Sequence, residues 1–431
     1  MSDQPKSPLT RLASLDAYRG FIMLVMVSAG FGFAAVWKNH FQDDPLWQFL
    51  AYEFAHVPWT GCAFWDLIQP SFMFMVGVAI PFSYASRVAK GQSSLRIGAH
   101  VVYRAIILIL LGIFLSSGGR GQTVTNFTFV NVLTQIGLGY AFVYLLRGRS
   151  FGFQLLILVT ILAGYWYLFF QQPVENEASA ILSSTPGDRE LWFTGLFAHW
   201  NKNANFAAEF DQWFLNLFPR NRPFLLNEGG YQTLNFVPSM ATMILGLMAG
   251  ELLQSARTPW RKFRFLFLAG ALCLAVGLAL DPYDLTNWHF TEGLGVCPVV
   301  KRIWTPSWAV FSAGWTLWML AGFYLIIDVL GYRRWAFPLV LVGMNSIAIY
   351  CMYQLWSGSI SRTLKLHLDW GYQWLVARIP SDWTLRSILQ TDFGPQLFGG
   401  TYGPIVQAVA VLSILWLVCL WMYRRGMFLR I

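Results

Sequence analysis

The chain has 431 residues, of which 56% are hydrophobic, 17% aromatic and only 12% charged, about half the charged fraction of a water-soluble protein. Several apolar runs of about 20 residues, each long enough to cross ~30 Å of hydrocarbon, point to an all-α polytopic membrane protein, and their length argues against the ~10-residue alternating strands of a membrane barrel. The net charge of +9 fits a basic face against inner-leaflet lipids rather than nucleic acid, which is not expected as a partner.

In chain order the apolar runs predict ten transmembrane helices, at about 16–37, 61–85, 97–117, 127–146, 151–170, 235–255, 263–280, 306–330, 335–357 and 403–424. The first run is full length and begins near Asp16 after a short polar start, so no cleavable signal peptide is expected. An even number of spans puts both termini on one side. With the termini inside, the inner segments hold 18 of the 30 Lys and Arg residues (among them Lys6, Arg11 and Arg430) and only four acidic residues, Asp3, Asp16, Glu251 and Asp328. The positive-inside rule then sets both termini in the cytoplasm, as in a bacterial inner membrane.

The long connections at 38–60, 171–234, 281–305 and 358–402 fall on the outer side and are expected to form a cap, since loops of this length are uncommon without a role. FAAEFDQWFLNLF reads as a helical piece of that cap, and WGYQWLVARI and SDWTLRSIL as short interfacial amphipathic helices. No linker or repeat separates a second unit, so residues 1–431 read as a single transmembrane domain. Cys62 and Cys297 both fall in outer segments, where a disulfide between them is open.

Ionisable side chains at membrane depth are costly and therefore functional candidates. In SLDAYRG, Asp16 and Arg19 stand three apart on one helical face, as an anchoring ion pair or as a site where Arg19 meets an anionic ligand. In FAHVPWTGCAFWDLIQPSFMFMVG, His56 precedes the second span and Asp66 lies about one turn into it. The first reading is an interfacial belt of His56, Trp59 and Trp65. The second is a general base, with Asp66 orienting it or holding a substrate hydroxyl. Pro70 and Pro81 kink this span. In NVLTQIGLGY, Asn131 and Gln135 are four apart, for interhelical hydrogen bonding or for ligand binding. In CPVVKRIWTPSW, Lys301 and Arg302 form a basic pair, followed by Thr305 and Ser307 as helix-capping types. In GMNSIAIYCMYQLW, Asn345 and Ser346 fall inside the ninth span, where a buried amide needs partners. There is no Walker loop, HExxH or CxxC, and the other histidines, His40, His100, His199, His289 and His367, stand apart in sequence, so no metal is expected.

Together these blocks resemble the heparan-alpha-glucosaminide N-acetyltransferase family of membrane acetyltransferases and its bacterial homologues. The matching pieces are RLASLDAYRGFIMLVMV, HVPWTGCAFWDLIQPSFMFMVGVAIPFS, PVVKRIWTPSWAVFSAG, GMNSIAIY and RRGMFLRI, in order over nearly the whole chain. The resemblance implies a ten-helix core, acetyl-CoA as cytoplasmic co-substrate, an amino-sugar acceptor on the far side and the option of a homodimer. It carries the catalytic histidine onto His56. Two features depart from the family. Its asparagine at the outer end of helix one is replaced in VMVSAGFGF by Ser28 and Gly30, and the large N-terminal luminal domain of the animal enzyme is not expected, so heparan is not implied as substrate.

The expected chemistry is acetyl transfer across the membrane. Arg19, Arg87 and Arg104 would meet the phosphates of acetyl-CoA, with Asp16, the partner of Arg19, counted in the same cofactor-binding group. His56 would deprotonate an acceptor amine or hydroxyl, or carry the acetyl group covalently. Lys301, Thr305 or Asn345 would steady the oxyanion, with Trp59, Ser346, Asn131 and Gln135 as further substrate contacts. The rival class is a transporter or flippase of a sugar or lipid-linked substrate, which calls for broken helices in paired halves.

Overall fold

A computed structural model of the chain describes residues 12–118, 123–174, 192–284, 289–290, 295–392, 394 and 396–429. Lys6, Arg11 and Arg430, counted above on the inner side, lie outside the described residues, as do Asp3 and residues 175–191 of the longest connection.

The architecture is helical, with one hairpin of two-residue strands, β1 (Tyr283–Asp284) and β2 (His289–Phe290), among the described residues. Among the described residues eight helices are long and apolar enough to cross a membrane, or nine if a helix pair bent by 64° is counted as one span. The chain is an integral membrane protein. The first span consists of α1 (Ala13–Val27) and α2 (Phe33–His40). Between them Ala29, Gly30, Phe31 and Gly32 all have positive φ, from 50° to 70°. A left-handed backbone costs a non-glycine residue roughly 1–2 kcal/mol, so this turn is held in place by its surroundings. α3 (Pro45–Glu53) follows, capped by Asp44, whose Oδ1 accepts from Leu46 and Trp47 N–H.

The spans continue as α4 (Ile68–Ala89), entered through a single 3-10 turn at Phe64–Leu67, and α5 (Ser94–Ser116). The expected span at 127–146 is realised as the shorter α6 (Val132–Leu145). Asn131 sets its start, because its Oδ1 accepts from Leu133 N–H at 3.1 Å and Thr134 N–H at 3.0 Å and residues 125–130 have no regular structure. At 14 residues α6 covers only about 21 Å, which is why the count by length is eight or nine, where the sequence suggested ten.

α7 (Phe151–Gln171), α8 (Phe206–Leu215), α9 (Phe236–Gln254), α10 (Pro259–Leu280) and α11 (Pro306–Tyr324) follow. α8 is the helical piece expected from FAAEFDQWFLNLF. The expected ninth span is broken into α12 (Phe337–Gly343) and α13 (Ser346–Val376). Asn345 and Ser346 therefore sit at a break and not inside a continuous helix. WGYQWLVARI is not a separate interfacial helix: no proline interrupts residues 346–376, and the segment through Val376 continues α13 for 31 residues. SDWTLRSIL does supply α14 (Thr384–Asp392), and α15 (Gly403–Arg424) closes the order.

Small residues let the helix backbones touch, the usual device where lipid removes the hydrophobic drive for association. A Cβ on Gly77 of α4 would fall 1.9 Å from the Met243 carbonyl oxygen of α9, and one on Gly246 would fall 2.0 Å from that of Phe74. α1 and α12 lock reciprocally, Gly20 against the Leu339 carbonyl and Gly343 against that of Asp16. This lock seats the Asp16–Arg19 turn beside the α12–α13 break. At the other end of the bundle, Trp59, Tyr165, Phe169, Phe197, Trp200 and Ile303 form a buried cluster, and each large apolar side chain removed from water contributes roughly 1.5–3 kcal/mol. Cys62 and Cys297 are both free thiols.

Candidate active site

The segment from Phe54 to Ala63 has no regular structure of its own, and three anchors shape it. Thr60 pairs with Val300 in an isolated antiparallel bridge, and Gly61 N–H donates to the Val299 carbonyl at 3.0 Å. Trp59 plunges into the aromatic cluster and donates its indole N–H to the Trp200 carbonyl at 3.2 Å. Asp66 Oδ2 accepts from the N–H groups of Val57 and Ala63, both at 3.2 Å, so one carboxylate oxygen closes the loop. Glu53 adds a fourth tie by accepting from Phe64 N–H at 2.8 Å.

This framework brings three charged or titratable side chains together across 245 residues of sequence. His56 Nδ1 lies 2.7 Å from Asp66 Oδ1, and Lys301 donates to the same oxygen at 3.1 Å. Lys301 Nζ is also 3.1 Å from His56 Nδ1. The Asp66 and Lys301 side chains are 1% and 4% exposed, whereas His56 keeps 40% of its side-chain surface open. A carboxylate can only accept, so the 2.7 Å contact with Asp66 assigns the proton to His56 Nδ1, and the Lys301 ammonium donates to Asp66; this leaves Nε2 as the free base. Burial lowers the His56 pKa below its ordinary 6.5. The Asp66 hydrogen bond opposes that shift, and the Lys301 and Arg302 charges reinforce it. The imidazole is thus neutral near pH 7, held in one tautomer and open on one side, as a general base requires.

Arg302 completes this end of the bundle. Its guanidinium donates to the Val57 carbonyl at 3.0 Å and to the Gly229 carbonyl at 2.7 Å. Asn235 in turn donates to the Arg302 carbonyl at 2.7 Å. Arg302 therefore ties the residue next to His56 to the 227–232 loop, a role its sequence position did not reveal. The left-handed turn after α1 is also part of the framework, because a Cβ on Gly30 would meet the Phe54 carbonyl oxygen at 2.5 Å, two residues before His56. Ser28, at the neighbouring position, is buried and its hydroxyl donates to the Val25 carbonyl.

Other expected site residues lie elsewhere. Trp59 is core, beneath the site. Thr305 Oγ1 accepts from Val300 N–H at 3.0 Å and caps α11 through Trp308 N–H. Asn131 caps α6, and Gln135 donates to the Phe129 and Thr233 carbonyls. Asn345 faces the chain's C-terminal tail, and Ser346 lines a cavity at the far end of α4.

That cavity, about 330 Å³, gathers Arg19, Arg87 and Arg104, the three arginines singled out in the sequence. Asp16 backs Arg19 at 3.4 Å. His100, which looked isolated, joins them. Its Nε2 accepts from the Arg87 guanidinium, and the i,i+4 spacing of His100 and Arg104 on α5 was the signal for it. Arg104 donates to Tyr140 Oη at 3.2 Å, while its Nε is buried without a hydrogen-bond partner among the described residues. A cationic cavity with an orphaned guanidinium donor suits a phosphorylated ligand. Along α4 the lining runs from Phe72 to Arg87, about 22 Å at 1.5 Å per residue, and Phe72 is about 9 Å along the chain from Asp66.

Fold and site together define a helical integral membrane protein with a His–Asp–Lys cluster near one end of α4 and a cationic cavity toward the other. Residues 11–137 match a family model described as a domain of unknown function (DUF5009). The chain is 25% identical over 392 residues to heparan-alpha-glucosaminide N-acetyltransferase from Homo sapiens, covering 83% of this chain and 54% of that protein. It is 24% identical over 383 residues to the Mus musculus protein of the same name, covering 81% and 54%. The chain thus spans about half the length of the curated relatives it matches. These matches bear out the resemblance to that acetyltransferase family as a distant family-level relationship.

Proposed function

We propose that this protein is a transmembrane acetyltransferase, working as one unit over residues 1–431. It moves an acetyl group from cytoplasmic acetyl-CoA to an amine or hydroxyl of a sugar-like acceptor on the outer side. The observation that carries this reading is the placement of the open His56–Asp66 pair and the arginine cavity along one helix, α4. The names of the relatives support the acetyl-transfer class. Arg19, Arg87 and Arg104 hold the CoA phosphates, with His100 orienting Arg87, and the thioester arm lies along α4 toward Phe72. His56 Nε2 takes a proton from the acceptor as its nitrogen or oxygen attacks the thioester carbonyl. The tetrahedral adduct collapses, the carbon–sulfur bond breaks, and the CoA sulfur leaves and takes up a proton. Asp66 stabilises the imidazolium formed in between, and Lys301 keeps Asp66 fixed behind it.

The orientation that goes with this reading has both termini in the cytoplasm of a bacterial inner membrane, supported by the basic inner segments. Acetyl-CoA added to the purified protein in detergent is expected to raise its Tm. No stabilisation at saturating acetyl-CoA rules the reading out. A cysteine-labelling probe at residues 192–234 should react only from outside.

The 64° break between α12 and α13 favours a second reading, a transporter or flippase without covalent chemistry. Uptake of a sugar into proteoliposomes without acetyl donor, retained in His56→Ala, would select it.

A further inference from the structure

The chain after α15 turns at Gly426, whose φ is +67°, and Met427 N–H donates to the Met422 carbonyl at 2.9 Å. This sends residues 427–429 back toward the α12–α13 break. There Asn345, 0% exposed, meets the returning backbone with both ends of its amide. Its Nδ2 donates to the Met427 carbonyl at 3.2 Å, and its Oδ1 accepts from Leu429 N–H at 3.2 Å. An amide that grips a carbonyl and an N–H two residues apart fixes both the position and the direction of that segment. Leu429 lines the arginine cavity, and so do Met344 and Ser346 on either side of Asn345. The same cavity wall carries Gly343, whose lock against Asp16 seats the turn that bears Arg19.

We propose that Asn345 is a positioning residue of the donor site: by holding residues 427–429 in place it builds one wall of the cavity that receives acetyl-CoA. The inference rests on the acetyl-donor reading above and assigns Asn345 to the donor and not to the acceptor or the oxyanion. The Met427 N–H bond to Met422 and the Tyr423–Phe428 ring contact hold the partly exposed tail to its own helix, and the Asn345 amide ties it to the α12–α13 break. Removing the amide loosens the wall while leaving the His56 framework intact, because none of the bonds that shape residues 54–66 runs through Asn345.

The test uses the full chain in detergent, with acetyl-CoA as donor and glucosamine as acceptor probe. Two variants break the grip from opposite sides: Asn345→Ala removes the amide, and Leu429→Pro removes the N–H while leaving Asn345 in place. Both are expected to weaken acetyl-CoA about tenfold, in Kd from thermal shift and in KM, with kcat and the acceptor KM near wild type. Wild-type acetyl-CoA affinity in either folded variant overturns the inference, and so does loss confined to kcat or to the Tm of the ligand-free protein. Should Asn345→Ala fail to fold, Leu429→Pro in the exposed tail carries the decision. A wild type that acetyl-CoA does not stabilise removes the donor reading and this inference with it, whereas a stabilised wild type with unchanged variants removes the inference alone.

Discussion

Asp66 Oδ1 accepts the Nδ1–H of His56 at 2.7 Å, although the carboxylate is buried and the imidazole is open. In the proposed reaction the pair divides the labour of a base: one residue is fixed, and the other presents Nε2. His56→Ala is expected to lower acetyl transfer by about 10²–10⁴-fold, the usual contribution of a positioned base. Acetyl-CoA stabilisation should persist, so a transfer assay read beside a thermal shift separates chemistry from donor binding.

Asp66→Asn exchanges one of the two acceptor oxygens for an NH2 donor, so it cannot serve both His56 and the Val57 and Ala63 N–H groups, and it leaves the Lys301 ammonium buried without its counter-charge. Breaking a buried pair from one side costs about 3–5 kcal/mol. The variant should therefore lose both activity and stability, measured by transfer rate and by chemical denaturation. His56→Ala, which leaves the Asp66–Lys301 contact of 3.1 Å intact, should lose mainly activity.

The depressed His56 pKa gives a direction to the pH profile. In the proposed reaction His56 acts only when neutral, so activity is expected to fall as pH drops through the folded pKa, which lies below 6.5 because burial and the Lys301 and Arg302 charges disfavour the cation. The acidic limb of kcat/KM should accordingly fall below pH 6.5. Lys301→Met removes one of the disfavouring charges, and its limb should shift to higher pH. The unfolded chain binds this proton more readily than the folded one, so the same group makes folding less stable as pH falls below about 6.5.

Arg302 spans two carbonyls with a planar fork that a lysine lacks. Arg302→Lys keeps the charge and gives up at least one bond, each worth about 1.5–3 kcal/mol for a charged donor. A drop in kcat of tenfold or more, with donor affinity unchanged, is the expected outcome in steady-state assays.

Gly30 and Gly148 both have positive φ, 64° and 71°. An added methyl meets the Phe54 carbonyl at Gly30 and nothing within 4 Å at Gly148. Both alanine variants should lose roughly 1–2 kcal/mol from the backbone alone. Only Gly30→Ala should also lose transfer activity, because its clash displaces the segment that carries His56.

The sequence by itself determined the class. Apolar runs and scarce charge dictate helices in a membrane, since only internally hydrogen-bonded segments survive there. The ordered blocks around Asp16, His56 and Lys301 carried the family resemblance, and His56 with Asp66 was legible because ten residues separate them on one short stretch. The tertiary structure alone decided who their partners are. Lys301 joins Asp66 from 235 residues away through the Thr60–Val300 bridge, and no local period encodes such a meeting. It set the partners of Trp59, Thr305, Asn131 and Gln135, which bond to nearby backbone groups, because a polar or aromatic residue shows its type in sequence but not the direction it faces. It also broke the ninth span at Asn345. A buried amide must find partners, and here the nearest ones are the backbone groups of a tail more than 80 residues further along the chain.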